Sequence, residues 1–285
     1  MNSRPRLFAP LNTPIRAWRG RRVWIIGASS GIGEALARNL ARQGARLALS
    51  ARDVTRLQAV CASCATPDAG AVLPLAMVMD LTRDEDIAHV RDALIDRWGG
   101  IDLVVFNAGT YRPLRAWNLH TDSIRETLEV NLFGSMAGVA AVVPTLLRQG
   151  QGAIALVASV AGYGGLPQAT VYGPSKAALI NFAEILYLDL APRGIDVFLI
   201  NPGFVATPLT AQNEFRMPAL LSAEQAAEAI VRGFARGKFE IHFPKRFTSV
   251  LKLLRLLPRR LYFGLVRHAT GEPTGAASGR VTPGR

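Results

Sequence analysis

Residues 22–40 read RVWIIGASSGIGEALARNL, and this stretch decides the fold. Arg22 to Ile26 is an apolar run of strand length. From Ile32 onward the apolar residues Ile32, Ala35, Leu36 and Leu40 recur at helical spacing. Between the two, Gly27-Ala-Ser-Ser-Gly31-Ile-Gly33 makes a glycine-rich turn. Glycines in such a turn let the backbone approach a pyrophosphate, and the helix N-terminus adds N–H donors and a partial positive charge. The same glycines would also suit an ordinary tight turn. The strand–turn–helix setting is what points to a dinucleotide.

The alternation continues down the chain. Strand-like runs at 46–50, 72–79, 101–106, 153–158, 195–200 and 239–243 are separated by helical patterns at 53–61, 121–147, 171–190 and 222–236. A further helix is expected after Thr82, a candidate N-cap, with Asp84, Glu85 and Asp86 in its first turn. Pro144 should end or kink the long helix. Unbroken apolar strands joined by helices predict an α/β fold: a Rossmann-like, doubly wound, mostly parallel sheet of seven strands with helices on both faces. One catalytic domain is expected over 21–244. A loose, basic N-terminal extension (1–20) precedes it. A basic amphipathic segment (245–269) and a disordered tail (270–285) follow.

Charge and cysteines narrow the classes. The formal net charge is +12, with 49% hydrophobic and 19% charged residues, which excludes a wholly disordered chain. Residues 1–22 contribute +6 and residues 236–285 contribute +9, so the body carries 12 − 15 = −3. Basic ends suit an anionic surface or simply solvated tails. No aromatic–basic interleaving supports nucleic-acid binding, and none is expected. Cys61 and Cys64 resemble half of a zinc site, but no second Cys/His pair stands at ligand spacing. They are read as surface-helix residues, with no metal expected. The absence of an apolar signal core and of a spanning run suggests a cytoplasmic protein, with possible contact at the inner face of a membrane.

Cofactor choice is read where the second strand ends, at Leu49-Ser50-Ala51-Arg52-Asp53. NAD sites usually place a carboxylate there for the ribose hydroxyl, and NADP sites place a cation for the 2′-phosphate. Ser50 is read as standing in the carboxylate's place, with Arg52 able to hold a phosphate. Asp53 either opposes a phosphate or caps the next helix. NADP(H) is expected, with NAD(H) as the alternative.

Tyr172-Gly-Pro-Ser-Lys176 puts a phenol and an ammonium at i and i+4, on one helix face. Pro174 fits only a helix that begins near Tyr172. An adjacent ammonium favours phenolate and makes Tyr usable as a general acid/base. Ser159 ends the fifth strand, Asn107-Ala108-Gly109 the fourth and Asn201-Pro202-Gly203 the sixth, all at the sheet edge where open parallel sheets bind ligands. Asn131 sits inside the long helix, where its amide would hold a water or bend the backbone.

With these residues in place, 21–244 resembles the classical short-chain dehydrogenase/reductase family. The resemblance rests on Gly27, Gly31 and Gly33, on Asn107–Gly109, and on Asn131, Ser159, Tyr172 and Lys176 as its catalytic tetrad in order and spacing. It assigns the cofactor to Gly27, Ser29, Ser30, Gly31, Ile32, Gly33, Ser50, Arg52, Asp80, Leu81, Asn107, Ala108, Gly109, Tyr172, Lys176, Pro202, Gly203, Val205 and Thr207. The family usually has Thr where this chain has Ile26, and often has Asn where it has Phe106. The resemblance implies hydride transfer between a nicotinamide and a carbonyl or secondary alcohol. Tyr172 would be the acid/base, Ser159 an oxyanion donor and Asn131 a water holder. Lys176 would lower the Tyr172 pKa and bind the nicotinamide ribose. It also implies a homodimer or homotetramer.

The segment after Gly203 carries Phe204, Leu209, Phe215 and Met217, which suggests an apolar pocket for a lipid-like or steroid-like substrate. Ordinary core packing would give the same composition. Residues 245–267 combine Phe247, Val250, Leu251, Leu254 and Leu257 with Lys252, Arg255, Arg259 and Arg260. This reads either as a membrane-interface helix broken at Pro258, with Tyr262 and Phe263 at headgroup level, or as a helix packed on the body. Two other classes stay open: a dinucleotide sensor without chemistry, and an NAD-dependent alcohol dehydrogenase.

Overall fold

A computed structural model describes residues 9–65, 73–213 and 217–271. Seven strands form one parallel sheet: β1 Arg22–Ile26, β2 Arg46–Ala51, β3 Leu75–Val78, β4 Leu103–Phe106, β5 Gly152–Val157, β6 Ile195–Pro202 and β7 Glu240–Phe243. Their spatial order is β3-β2-β1-β4-β5-β6-β7. The order reverses between β1 and β4, which opens a crevice at the carboxyl ends of these two strands. The doubly wound α/β architecture expected from the sequence is therefore the observed one.

Helices α1 (Gly31–Arg42), α2 (Val54–Ser63) and α7 (Ala223–Phe234) cover one face of the sheet. Helices α3 (Asp84–Trp98), α5 (Gly134–Gln149) and α6 (Tyr172–Leu190) cover the other. Strand alternation divides the core. Val23 and Ile25 face Leu36, Leu40, Ile230 and Phe234, while Trp24 and Ile26 face the side of Val142, Leu146 and Leu179. Each such buried side chain contributes about 1.5–3 kcal/mol.

The structure corrects several expectations. The N-terminal extension is not loose over its described part, for Ile15 and Trp18 are core residues. Asn12 donates to the Val197 carbonyl at 2.7 Å and accepts from the Val197 N–H at 3.2 Å. Pairing between β6 and β7 begins only at Leu199, so the Asn12 amide satisfies a β6 edge that β7 does not reach. Thr82 is not the cap of α3; that position is Arg83, and Thr82 instead donates to Asp80. Cys61 and Cys64 are buried rather than on a surface, and burial pushes both thiols up.

The long helix is three elements. Helix α4 (Thr121–Leu128) passes through a wider π turn, Glu129–Phe133, into α5. Asn131 thus sits in the middle of the π turn, while Pro144 lies inside α5 without ending it. By length and composition 121–149 would pass for a membrane span, contrary to the sequence reading. Its Val139, Val142 and Leu146 are instead buried against the sheet. Phe106, where the family often has Asn, is accommodated by Gly138: a Cβ there would come 2.3 Å from the ring. The tail forms two helices, α8 (Lys245–Leu254) and α9 (Arg259–Thr270), divided at Pro258 as expected. Residues 272–285 of the expected disordered tail lie outside the described residues.

Candidate active site

The glycine turn is fixed by the strand next to it. Gly27 has φ +87°, and a Cβ on it would lie 2.4 Å from the Ala108 nitrogen. A Cβ on Gly33 would lie 2.2 Å from the Gly27 carbonyl oxygen. Asn107 donates through Nδ2 to that same oxygen at 2.7 Å, tying the end of β4 to the turn. The N-cap of α1, Ser30, makes no side-chain capping bond, so the first-turn N–H groups of a twelve-residue helix face the crevice without an internal acceptor. Ser29, Ser30, Gly31, Ile32, Asp80, Leu81, Asn107, Ala108, Gly109, Thr207 and Leu209 line this crevice together with Gly27. A glycine turn with open N–H donors at the head of a helix fits a dinucleotide pyrophosphate.

At the end of β2, Ser50 lines the crevice as the sequence reading placed it. Ser50 is fully buried, and its hydroxyl accepts from Trp24 Nε1 at 2.9 Å. Ala51 and Arg52 are the next residues on the cleft wall. Ser50 shares the sheet face of Trp24, and Ala51 lies on the other. Asp53 resolves as a helix cap: it accepts from the Arg56 N–H at 3.0 Å and pairs with the Arg56 side chain at 3.4 Å. Burial pushes the Asp80 carboxyl up, but two hydrogen bonds from Thr82 and the charge of Arg52 outweigh it and hold the carboxyl below the usual range.

The acid/base residues meet at the same edge. Ser159 follows β5 and its hydroxyl accepts from the Ala161 N–H at 3.1 Å. Tyr172 opens α6, one turn before Lys176, as the position of Pro174 requires. Lys176 is buried, donates to the Val157 carbonyl at 2.9 Å and lies 5.6 Å from the Tyr172 ring centroid. Burial pushes the Lys176 ammonium down to about 8. Burial also drives the Tyr172 phenol up to about 12, against a hydrogen bond with Ser159 that lowers it. This differs from the expectation that Lys176 acidifies Tyr172, because the ammonium lies against the ring and its hydrogen bond goes to a carbonyl, not to the phenol oxygen.

The side chain of Asn131 is held by protein. Oδ1 accepts from Thr110 N–H at 2.7 Å, and Nδ2 donates to the Thr110 carbonyl at 2.9 Å and to Ser175 at 3.2 Å. A Cβ on Gly109 would fall 3.3 Å from Asn131 Oδ1 and 3.5 Å from Lys176 Nζ, so this glycine keeps the space between amide and ammonium clear.

The expected substrate residues are not gathered into one wall. Leu209 lines the crevice, whereas Phe204 packs on Phe247 of α8 with ring centroids 5.7 Å apart. Met217 lies against Asn213, Val205 is buried in a bridge to Leu221, and Phe215 lies outside the described residues. Pro202 ends β6, and the following Gly203 N–H donates to the Phe243 carbonyl at 2.7 Å. Sequence reasoning missed Tyr111, whose ring meets Tyr172 edge-on at 4.9 Å, and Ser175, the partner of Asn131. It also missed Glu240, which accepts from Tyr163 at 2.5 Å and from Asn201 at 2.8 Å. Ser175 lies within the Tyr172–Lys176 motif, but its pairing with Asn131, like the contacts of Tyr111 and Glu240, depends on tertiary placement.

Comparison with known proteins agrees with this geometry. Residues 21–217 match the short chain dehydrogenase family. An uncharacterized oxidoreductase of Myxococcus xanthus (strain DK1622) is 36% identical over 248 residues, covering 87% of this chain and 96% of that protein. A short chain dehydrogenase/reductase from Burkholderia phymatum, solved in complex with NAD, aligns with a TM-score of 0.74 at 25% identity, over 84% of this chain and 94% of that one. An alcohol dehydrogenase from the archaeon Thermococcus sibiricus, complexed with 5-hydroxy-NADP, aligns with a TM-score of 0.70 at 28% identity, over 78% of this chain and 96% of that one. From the glycine turn through the tyrosine helix, this chain belongs to the short-chain dehydrogenase/reductase family of oxidoreductases.

Proposed function

We propose that this dehydrogenase/reductase uses NADP(H) to interconvert a carbonyl and a secondary alcohol on an apolar substrate, with Tyr172 as the proton donor and acceptor. The observation that carries the reading is the convergence of Ser159, Tyr172 and Lys176 at the carboxyl edge of the sheet, with Lys176 next to Gly109 of the crevice that the glycine turn lines. The family supports a nicotinamide cofactor, which supplies or receives the hydride when bound. Its pyrophosphate would lie on Ser29–Gly33 and its adenine side beside Asp80 and Leu81. Arg52 supports the 2′-phosphate form, because the neighbouring carboxylate of Asp53 is engaged by α2.

The protein's own groups divide the work. Ser159 and Tyr172 hydrogen-bond the substrate oxygen and orient it. A phenol pushed up to about 12 is protonated at neutral pH, which is the acid form that reduction requires. Tyr172 passes its proton to the developing alkoxide. The Lys176 ammonium would bind the ribose hydroxyls of the nicotinamide half one helical turn from Tyr172. Water in the space cleared by Gly109 links Lys176 to solvent past Asn131. Exposed Phe133, Met136, Ile185 and Leu188 on the outer helices support a homo-oligomer through that face.

The reading is tested by following NADPH and NADH consumption with aliphatic, steroid and long-chain ketones. It predicts turnover of an apolar ketone with NADPH preferred. Preference for NADH would overturn the cofactor assignment, and turnover confined to small polar ketones would overturn the substrate assignment.

A further inference from the structure

Helices α8 and α9 are each bound to the body through one face. Phe247 packs on Phe204, and Thr248 Oγ1 lies 2.6 Å from His242 Nδ1. Lys252 pairs with Glu240, the carboxylate that also holds Tyr163. Tyr262 is 4% exposed and donates to the Gly165 carbonyl at 2.9 Å. It is therefore an anchor to the body and not a headgroup residue. Gly165 lies in the loop between Ser159 and Tyr172, and Phe204 follows the Pro202-Gly203 turn. Both helices are thus fixed to the two loops that flank the reacting centre.

Their other faces are apolar and uncovered. Val250 and Leu253 on α8, Leu256 between the helices, and Leu261, Phe263 and Leu265 on α9 are 46–81% exposed, with Leu256 the most exposed. Arg246, Val250 and Leu253 stand at i, i+4 and i+7, and Leu261 and Leu265 at i and i+4, so these residues form stripes along the helices. Residues 245–271 contain seven Lys or Arg and no Asp or Glu. A second copy of this face would set seven cations against seven. A surface that accepts apolar side chains and offers negative charge matches both properties.

We propose that α8 and α9 dock on an anionic phospholipid bilayer next to the loops that flank the reacting centre, and that the substrate is a lipid drawn directly from it. The delivery half of this proposal rests on the reading of Tyr172 as the reacting centre; the docking half does not. Full-length protein is sedimented with vesicles of phosphatidylcholine alone and of phosphatidylcholine with phosphatidylglycerol. It should pellet with the anionic vesicles at low salt and be released at high salt. The triple variant Leu253→Glu, Leu256→Glu, Leu261→Glu should stay in the supernatant. The same variant should lose at least ten-fold in kcat/KM toward a long-chain ketone presented in anionic vesicles, and keep wild-type kcat/KM toward a water-soluble ketone.

Tyr172→Phe should pellet like the wild type, which separates failure of docking from failure of the chemical assignment. The proposal is overturned if the wild type stays in the supernatant, or if it pellets equally with both vesicle types. It is also overturned if the triple variant pellets unchanged, or if sedimentation velocity shows that the variant only dissociates an oligomer. Equal loss toward vesicle-borne and soluble ketones would overturn the delivery half.

Discussion

Replacing Lys176 by Met should stabilise the fold at neutral pH while destroying activity. The ammonium is 3% exposed, and burial holds its pKa at about 8 against an ordinary 10.5. At about 1.4 kcal/mol per decade, keeping it charged in the folded state costs about 3 kcal/mol. Met fills much of the same space without a charge. It also removes the donor to the Val157 carbonyl, which costs about 1–2 kcal/mol. The net gain is about 1–2 kcal/mol, a rise in Tm of about 4 °C for a domain of this size. The sign depends on pH. A lysine with a depressed folded pKa carries its full cost below about 8, loses it progressively as pH rises toward 10.5, and carries none above. Calorimetry should find the variant more stable than wild type at pH 6.5 and less stable at pH 10.5, where only the lost hydrogen bond remains. A variant less stable at both pH values would show that the ammonium is not penalised by burial, and would refute the reasoning.

Three further outcomes follow from other parts of the structure. Arg52→Ala should raise KM for NADPH by about ten-fold or more and leave KM for NADH nearly unchanged, as steady-state kinetics with both coenzymes would show. Asn12→Ala removes both bonds to Val197 and should lower stability by about 2–4 kcal/mol, read as a fall in the urea midpoint. Gly138→Ala drives a Cβ into Phe106 and should destabilise by about 1–3 kcal/mol, with part of the loss recovered by Phe106→Val in a double-mutant cycle.

The legible part of the molecule was its periodic part. Strand-length apolar runs and helical spacing located all seven strands, because local pattern and sheet burial agree in a doubly wound fold. The glycine turn was legible for the same reason, since Gly27 and Gly33 leave no room for a Cβ whatever surrounds them. What could not be read depended on side-chain direction or distant partners. Ser50 lines the crevice, but only the placement of Trp24 shows that its hydroxyl is already taken by an indole N–H. The N-terminal extension looked like a loose tail because Pro and Arg dominate it. Its role depends on Asn12 meeting Val197, 185 positions away. The charge relation between Lys176 and Tyr172 was inferred from spacing alone. Spacing put them on one face of α6, but it did not reveal that the ammonium donates its hydrogen bond to the Val157 carbonyl. The contacts of the tail through Phe247, Lys252 and Tyr262 were equally hidden, because an amphipathic pattern shows two faces without showing what each one meets.

The central claim is that the Tyr172 hydroxyl moves the proton. The decisive measurement is ketone reduction by Tyr172→Phe alongside NADPH binding by fluorescence titration. The account predicts turnover reduced by at least about a thousand-fold, within the contribution expected of a general acid, with NADPH affinity within a few-fold of wild type. Near-wild-type turnover with unchanged binding would contradict it.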